Sequence, residues 1–272
     1  MAHYVVGDIH GCLQPLQKLL AKVEFNPRYD QLWAVGDLIG RGPNAQATLE
    51  FLADLGPALQ TVLGNHDLHA LAVLCELRQP NPKDNTASLL HSESRDFWIE
   101  WLRKQPLLLA DAAQSLLITH AGIHPQWSVD EAAGHAQEVE LVLRSNNFVQ
   151  FLEQMYGNHP VLWHEDLAGV ERWRFIVNVF TRMRYLEKQS LALDLTEKSP
   201  PTELPASSAL MPWFAAWPQS HWRIAFGHWA SLMGQSSRSD VIALDTGCVW
   251  GESLTLLDVE GNKKISVPGW QR

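Results

Sequence analysis

Hydrophobic positions along the chain fall into short apolar runs, separated by stretches of helical spacing. Runs of this kind are typical of strands buried on both faces of a sheet. The predicted strands cover residues 4–6, 32–35, 61–63, 115–119, 223–226 and 240–244. Leucines and a valine between residues 13 and 23 repeat at helical spacing, and Pro43 can open a second helix. The first 65 residues therefore predict a β-α-β-α-β order with parallel strands.

The long segment between the fourth and fifth strands predicts a cap inserted into the core. Helical spacing is found at residues 129–144, 148–156 and 172–188. Prolines among Ser and Thr at residues 198–212 indicate an irregular segment. We therefore predict an α/β single domain over residues 1–272, with a helical cap insertion at 123–215. Alternating residues on both sides of Glu260-Gly261-Asn262 predict a hairpin at the end of the chain.

Composition and charge narrow the class of protein. The 272-residue chain is 46% hydrophobic and 19% charged, as in ordinary globular proteins. Its net charge of −9 argues against nonspecific binding to nucleic acid or an anionic membrane. We see no secretory signal and no apolar stretch long enough for a transmembrane helix. The three cysteines are widely separated, which favours a reduced, cytoplasmic setting.

Metal-binding side chains follow the predicted strands. From Asp8 to Asp37 is 29 residues and from Asp37 to Asn65 is 28, close to the length of one strand-helix-strand unit. Such spacing brings the side chains to the carboxyl edge of the strands, where α/β proteins bind ligands. The candidate ligands are two carboxylates, one amide and three imidazoles: Asp8, His10, Asp37, Asn65, His120 and His228.

This donor set has consequences for the number and kind of ions. Mixed oxygen and nitrogen ligands suit Mn²⁺, Co²⁺, Fe or Zn²⁺ better than Ca²⁺. Six donors exceed what one ion with an open position needs, so we predict two divalent ions that share Asp37. Mn²⁺ or Co²⁺ is favoured, with Fe, Zn²⁺ or Mg²⁺ as alternatives. Taken singly, a cluster such as Gly64-Asn65-His66-Asp67 has an ordinary explanation as a turn with a capping residue.

Five motifs together resemble the phosphoprotein phosphatase group of calcineurin-like metallophosphoesterases. They are Gly7-Asp8-Ile9-His10-Gly11, Gly36-Asp37 with Arg41-Gly42, Gly64-Asn65-His66-Asp67, His120-Ala121-Gly122 and Gly227-His228. The resemblance implies a sandwich of two mixed β-sheets flanked by helices, with a dinuclear centre. It places one ion on Asp8, His10 and Asp37. It places the other on Asp37, Asn65, His120 and His228.

The expected chemistry is hydrolysis of a phosphate ester or anhydride. A hydroxide between two cations forms near neutral pH and attacks phosphorus in line, so no Ser or Cys nucleophile is needed. The resemblance implies that Arg41 contacts phosphate and that His66 protonates the leaving oxygen. A second arginine is expected from the cap, either Arg184 or Arg182, although a solvated helix face is an equally good explanation of Arg182.

One departure from the protein phosphatases bears on the substrate. Those enzymes place an Asp before the motif's Arg to orient the catalytic His, whereas this chain has Gly40. Either another carboxylate orients His66, or the leaving group needs less help, as in a phosphoanhydride. Gly-Asp-Leu-x-x-Arg-Gly-Pro with this Gly resembles the bacterial symmetrical bis(5′-nucleosyl)-tetraphosphatases.

That second resemblance implies a substrate, diadenosine tetraphosphate, cleaved at its central anhydride into two ADP. A protein Ser/Thr phosphatase of the same superfamily is the alternative, and a noncatalytic metal-binding module is a third interpretation. Capped RNA ends stay open as further substrates, no membrane partner is expected, and the oligomeric state is not predicted. Among the 12 tryptophans, Trp229 follows a predicted ligand and is the candidate for lining the substrate site.

Overall fold

The computed structural model describes residues 2–271. Its strands are β1 His3–Val6, β2 Gln31–Ala34, β3 Leu59–Thr61, β4 Leu108–Asp111, β5 Leu116–Thr119, β6 Tyr185–Glu187, β7 Leu193–Asp194, β8 Leu210–Pro212, β9 Arg223–Phe226, β10 Val241–Ala243, β11 Ser253–Asp258 and β12 Lys263–Pro268. Its α-helices are α1 Leu13–Lys22, α2 Ala45–Asp54, α3 Asn65–Leu74, α4 Ala87–Leu90, α5 Arg95–Leu102, α6 Val129–Arg144, α7 Phe148–Gln154, α8 Gly169–Arg182 and α9 Trp213–Ala216.

Two mixed sheets form the centre of the described structure. The first has the order β12-β11-β1-β2-β3, in which β1, β2 and β3 are parallel and β11 is antiparallel to β1. The second has the order β10-β9-β5-β4, in which β10, β9 and β5 are parallel and β4 is antiparallel to β5. The predicted hairpin is confirmed by the antiparallel pairing of β11 with β12.

Side chains on alternate strand positions divide between two buried layers, because successive residues of a strand point to opposite faces. Val5, Val35, Ile118 and Ala225 belong to one apolar cluster that contains residues of both sheets. Tyr4 and Val6 belong instead to the larger cluster, which includes the apolar face of α1. The arrangement is a sandwich of two mixed sheets flanked by helices, so the predicted fold class is confirmed.

Within the two central sheets, two strands differ from the prediction. The third strand was expected at residues 61–63 but spans Leu59–Thr61; the Val62 N–H still donates to Ala34 O of β2 (3.2 Å), and the Leu63 N–H donates to Pro106 O (2.8 Å). Strand β4 was not predicted; it pairs along β5 from Leu108 to Asp111.

The inserted segment contains helices where they were predicted, and in addition a small sheet that the sequence did not predict. Helix α8 ends at Arg182, since Met183 adopts an extended backbone (φ −63°, ψ 133°), and the last part of the helix expected at 172–188 forms strand β6 instead. Strands β7, β6 and β8 form a small antiparallel sheet. The Ala121 N–H donates to Phe180 O (2.7 Å), which joins α8 to the chain after β5. The limits of the cap at 123–215 stay a prediction.

The helices were compared in length and hydrophobicity with a membrane-spanning helix. Between residues 2 and 271, none is both long and apolar enough to cross a bilayer.

Candidate active site

The carboxyl ends of both sets of parallel strands meet at one edge of the sandwich. Asp8 follows β1, Asp37 follows β2 and Asn65 opens α3 after β3, while His120 and His228 follow β5 and β9 of the second sheet. Most of these side chains line a cavity of about 410 Å³, whereas His120 is fully buried behind its wall. The structure thus brings the predicted ligands of both sheets together, and the cavity wall includes Asp8, His10, Asp37, Asn65 and His228.

Asp37 lies at the centre of this group. Its Oδ2 atom is 3.7 Å from His10 Nε2 and 3.4 Å from His120 Nε2. Its Oδ1 atom accepts a hydrogen bond from the His66 N–H (2.8 Å). Ligand atoms of two groups of side chains converge to within 4.8 Å, and Asp37 belongs to both: His10, Asp37 and His66, and Asp37, His120 and His228. This geometry fits the predicted sharing of Asp37.

Hydrogen bonds to backbone carbonyls fix which nitrogens of two histidines carry protons. His120 Nδ1 is 2.8 Å from Val35 O, and a carbonyl can only accept, so Nδ1 carries the proton. In the neutral ring, Nε2 then presents a lone pair to Asn65 Oδ1 at 3.3 Å and to Asp37 Oδ2. His228 Nε2 likewise donates to Arg182 O (3.1 Å), which leaves its Nδ1 free to bind a metal.

The convergence of acceptors demands a positive charge. Lone pairs of His120, Asn65 and Asp37 face one another, and a cation between them relieves the repulsion. Burial alone would lower the pKa of His120, but the nearby Asp37 carboxylate raises it above its usual value, so a positive charge is favoured at this position. The donor set, mixed oxygen and nitrogen atoms in a buried site, fits divalent transition metals.

Buried carboxylates strengthen that conclusion. Burial, with Asp245 and Asp37 as neighbours, raises the pKa of Asp8 well above its usual range. Burial and Asp37 likewise raise the pKa of Asp245 to about 6. By contrast, His120 and His66 hold the pKa of Asp37 well below its usual range, despite its burial. Repelling carboxylates in one cleft are stabilised when cations bind between them.

Three arginines reach the same cavity. Arg184 donates to His228 O (3.1 Å), and burial lowers its pKa to about 10, so it stays charged at neutral pH. Arg182 donates to Asn178 Oδ1 and Asn158 Oδ1 (both 2.9 Å). Arg41 lies 5.3 Å from the ring centre of Trp250. Both candidate cap arginines line the cavity, as does Arg41.

His66 lies beside a carboxylate that the sequence did not reveal. Asp84 is only 5% exposed, and its Oδ1 atom is 4.0 Å from His66 Nδ1 and 3.9 Å from Arg41 Nε. Asp84 Oδ2 is 4.0 Å from His69 Nε2. Among the described residues, Asp84 Oδ1 has no hydrogen-bond partner. A buried carboxylate oxygen with two cationic or protonatable groups close by is available to orient His66.

The loop that carries Asp84 is tied to the Arg41 motif. The Arg41 N–H donates to Asp84 O (3.1 Å), and Asn85 Nδ2 donates to Arg41 O (3.0 Å) and Gly42 O (3.1 Å). Gly40 has φ +98°, and a Cβ there would lie 2.8 Å from His66 Nδ1. The space that an Asp side chain would need at this position is therefore filled by His66 itself.

The two tryptophans of the cavity differ in exposure. Trp229 is 2% exposed; its indole N–H donates to Lys198 O (3.2 Å) and its ring packs edge-on against Tyr185. Trp250 is 55% exposed and lines the same cavity. Trp229 therefore supports the cavity wall, and its predicted contact with substrate stays a prediction, while Trp250 offers the more open ring.

The family model described as calcineurin-like phosphoesterase matches residues 1–186. The chain belongs to the calcineurin-like phosphoesterase family. This membership agrees with the two mixed sheets and with the histidine and aspartate side chains that converge at their carboxyl edge.

Relatives of this calcineurin-like phosphoesterase match along nearly the whole chain. A protein of Pectobacterium carotovorum is 48% identical and covers 94% of this chain and 91% of its own. A protein of Aliivibrio fischeri is 47% identical and covers 97% of both chains. Each is named a symmetrical bis(5′-nucleosyl)-tetraphosphatase.

Solved structures show the same fold. The chain is similar to a candidate diadenosine tetraphosphatase, with a TM-score of 0.68 and 27% identity, over 100% of this chain and 95% of that one. It also resembles a protein serine/threonine phosphatase of Saccharomyces cerevisiae, with a TM-score of 0.56 at 12% identity, over 100% and 80% of the two chains. The second likeness concerns the fold alone.

Two acidic residues of this phosphoesterase were missed by sequence reasoning. Asp245 ends strand β10 in the same way that Asp8 ends β1, so the strand-end pattern carried a signal for it. Asp84 lies in a short 3₁₀ turn, Pro82–Asp84, with no hydrophobic periodicity around it. Only the three-dimensional structure places it beside His66.

Proposed function

We propose that this phosphoesterase cleaves diadenosine tetraphosphate symmetrically into two ADP. The observation that carries the proposal is the cavity in which the ligand set around Asp37 meets three arginines and His66. A metal-dependent hydrolase needs the ligands, and a chain of four phosphates needs the positive charge. The names of the near full-length relatives support the same substrate.

The metal ions would be held by the predicted residues. Asp8, His10 and Asp37 would hold one divalent cation, and Asp37, Asn65, His120 and His228 the other, with Mn²⁺ or Co²⁺ favoured for this donor set. When bound, such cations polarise the phosphoryl group and make a water molecule more acidic. Asp245 lies close enough to raise the local negative charge and so to strengthen cation binding.

The arginines bind and orient the phosphate chain. Arg184 is held by His228 O, and Arg182 by the side chains of Asn158 and Asn178, so both guanidinium groups are fixed before substrate arrives. Arg41 is partly exposed at the cavity mouth. Donors fixed in advance stabilise the charge on the equatorial oxygens without reorganisation during the reaction.

His66 donates the proton to the leaving ADP oxygen, and Asp84 positions it. Burial lowers the pKa of His66 to about 4, with Asp37 and Asp84 acting in the opposite direction. A bound tetraphosphate adds negative charges next to the ring, which favours its protonated form. Asp84 Oδ1 lies 4.0 Å from Nδ1, so a small movement of the ring in the substrate complex would let it accept from that nitrogen and direct Nε2 to the substrate.

A product analysis tests this function. The protein is incubated with Mn²⁺ or Co²⁺ and diadenosine tetraphosphate, and the nucleotides are separated by chromatography. We expect ADP as the sole product. Equal amounts of ATP and AMP would mean asymmetric attack and would contradict the proposal. Hydrolysis of a phosphoserine peptide without turnover of the dinucleotide would favour the alternative, a protein Ser/Thr phosphatase.

Capped RNA ends carry a similar 5′-linked phosphate chain. They should be added to the same incubation as competitors of diadenosine tetraphosphate. We also propose a cytoplasmic setting, and Mn²⁺ or Co²⁺ as the resident metals, which elemental analysis of the purified protein would test.

A further inference from the structure

A second cavity of about 370 Å³ adjoins the metal-ligand cavity. The two share Arg41, Asn65, His66 and Arg182 as wall residues. The proposed general acid therefore stands at the boundary between them. A group that leaves from phosphorus toward His66 enters this second cavity.

The walls of the second cavity suit a nucleotide better than a peptide or a cation. Its lining includes Arg41 and Arg182, and no Asp or Glu occurs among the described residues that line it. Its inner part is apolar, formed by Leu68, Met155 and Val177. Pockets of this size with an apolar base and a few polar groups are typical small-molecule sites.

An aromatic ring is fixed at the wall of this cavity. The Tyr156 hydroxyl is 3.0 Å from His69 Nδ1, and the Arg78 guanidinium lies 4.5 Å from the Tyr156 ring centre. The ring is half-buried, so it is held in place and still open to the cavity. A fixed, partly exposed ring is what stacking of a purine base requires.

We propose that this second cavity binds the nucleoside of the leaving nucleoside 5′-diphosphate, with its base against Tyr156. The inference rests on the proposed function and extends it. Cleavage at the centre of a dinucleoside tetraphosphate leaves one nucleotide on each side of the scissile bond. The metal-ligand cavity, with Lys198 and the open Trp250, holds one of them. Arg41 and Arg182, shared by both cavities, bind the phosphates between.

A kinetic comparison tests the assignment. Diadenosine tetraphosphate has two nucleosides, whereas adenosine 5′-tetraphosphate has one, which can bind beside Trp250. We expect Tyr156→Ala to lower kcat/KM for the dinucleotide by about 5- to 150-fold, the range for loss of a base–aromatic stack. The loss for adenosine 5′-tetraphosphate is expected to be several times smaller, and Tyr156→Phe is expected to lose less than Tyr156→Ala.

Two further variants complete the kinetic test. Val177→Phe adds a ring to the apolar inner part of the cavity and leaves the hydrogen bonds of Arg182 to Asn158 and Asn178 in place, so it should lower the dinucleotide rate in the same selective way. Tyr29→Ala removes an exposed tyrosine that lines neither cavity and should leave both rates unchanged. Equal losses of kcat/KM on both substrates in Tyr156→Ala and in the cavity-filling variant would overturn the proposal. Unchanged kcat/KM for the dinucleotide in these two variants would overturn it as well.

Equilibrium binding of ADP separates this inference from the proposed function. In the presence of Mn²⁺, isothermal titration should show two ADP per wild-type chain and a selectively weakened second site in Tyr156→Ala. Two sites without turnover of the dinucleotide would support the second cavity and contradict the proposed function. Turnover to ADP with a single site, unchanged by Tyr156→Ala, would support the function and overturn the second cavity.

Discussion

Replacing Asp84 with Asn tests whether this carboxylate positions His66. The change keeps the shape of the side chain and removes one negative charge. That charge lies 4.0 Å from His66 Nδ1, 4.0 Å from His69 Nε2 and 3.9 Å from Arg41 Nε. Because the group is 5% exposed, solvent screens it weakly.

The size of the effect follows from these distances. Two unit charges 4 Å apart interact by about 4 kcal/mol at an effective dielectric constant of about 20, which is about a thousandfold in rate. This value is an upper limit, because Arg41 lies equally close to Asp84 and neutralises part of the carboxylate charge that acts on His66. We expect kcat to fall by about 10- to 1,000-fold, within the usual contribution of general acid catalysis.

The assay compares leaving groups. A general acid matters most when the leaving oxygen is strongly basic, so Asp84→Asn should slow phenyl phosphate more than p-nitrophenyl phosphate, with KM and Mn²⁺ content nearly unchanged. Asp166→Asn, at a 92% exposed side chain, is the matched control and should behave as wild type. Equal loss on both esters, or a normal kcat, would refute the positioning role.

Further substitutions test other parts of the account. Asp37→Asn should leave the protein folded but abolish turnover and metal binding, as measured by elemental analysis. His66→Gln should lower kcat by about 10²- to 10⁴-fold with little change in KM. Gly40→Ala should lower both thermal stability and kcat, because the backbone has φ +98° and the new Cβ meets His66. Burial lowers the pKa of His124 to about 4 from 6.5, so the neutral ring stabilises the fold above pH 6.5 and this is lost as the pH falls toward 4. Between pH 7 and 5 this ring should lower the free energy of unfolding by about 2 kcal/mol, and that part of the pH dependence should be absent in His124→Gln.

Each of these has an outcome that contradicts it. Activity of Asp37→Asn near the wild-type level would remove it as the shared ligand. A rise in KM at constant kcat in His66→Gln would assign that residue to binding. A fully active Gly40→Ala would mean that His66 has room to move. An unchanged pH dependence of the unfolding free energy in His124→Gln would show that this ring is not the titrating group.

Much of the fold and the ligand set could be predicted because both follow from local sequence signals. Apolar runs such as Val5-Val6 are buried on both faces, so they mark strands without any tertiary information. Asp8 and Asp37 come directly after such runs, and parallel strands end at the same edge. Residues that follow parallel strands could therefore be predicted to meet at one edge, and this prediction included ligands from both sheets.

What could not be predicted depends on contacts between distant segments. The pairing of β6 with β7 and β8 holds residues 185–187 as a strand, although their spacing continues the pattern of α8. Asp84 lies beside His66 in a loop that is held to the Arg41 motif by hydrogen bonds of Asn85 and of Asp84 O. No periodicity in the sequence marks such a loop-to-loop contact.

The most direct test of the account is anomalous diffraction at the manganese edge from a crystal saturated with Mn²⁺. We predict two peaks about 3.5–4 Å apart, one on each side of the Asp37 carboxylate. A single peak, or two peaks that do not share Asp37, would contradict the dinuclear centre on which the proposed hydrolysis depends.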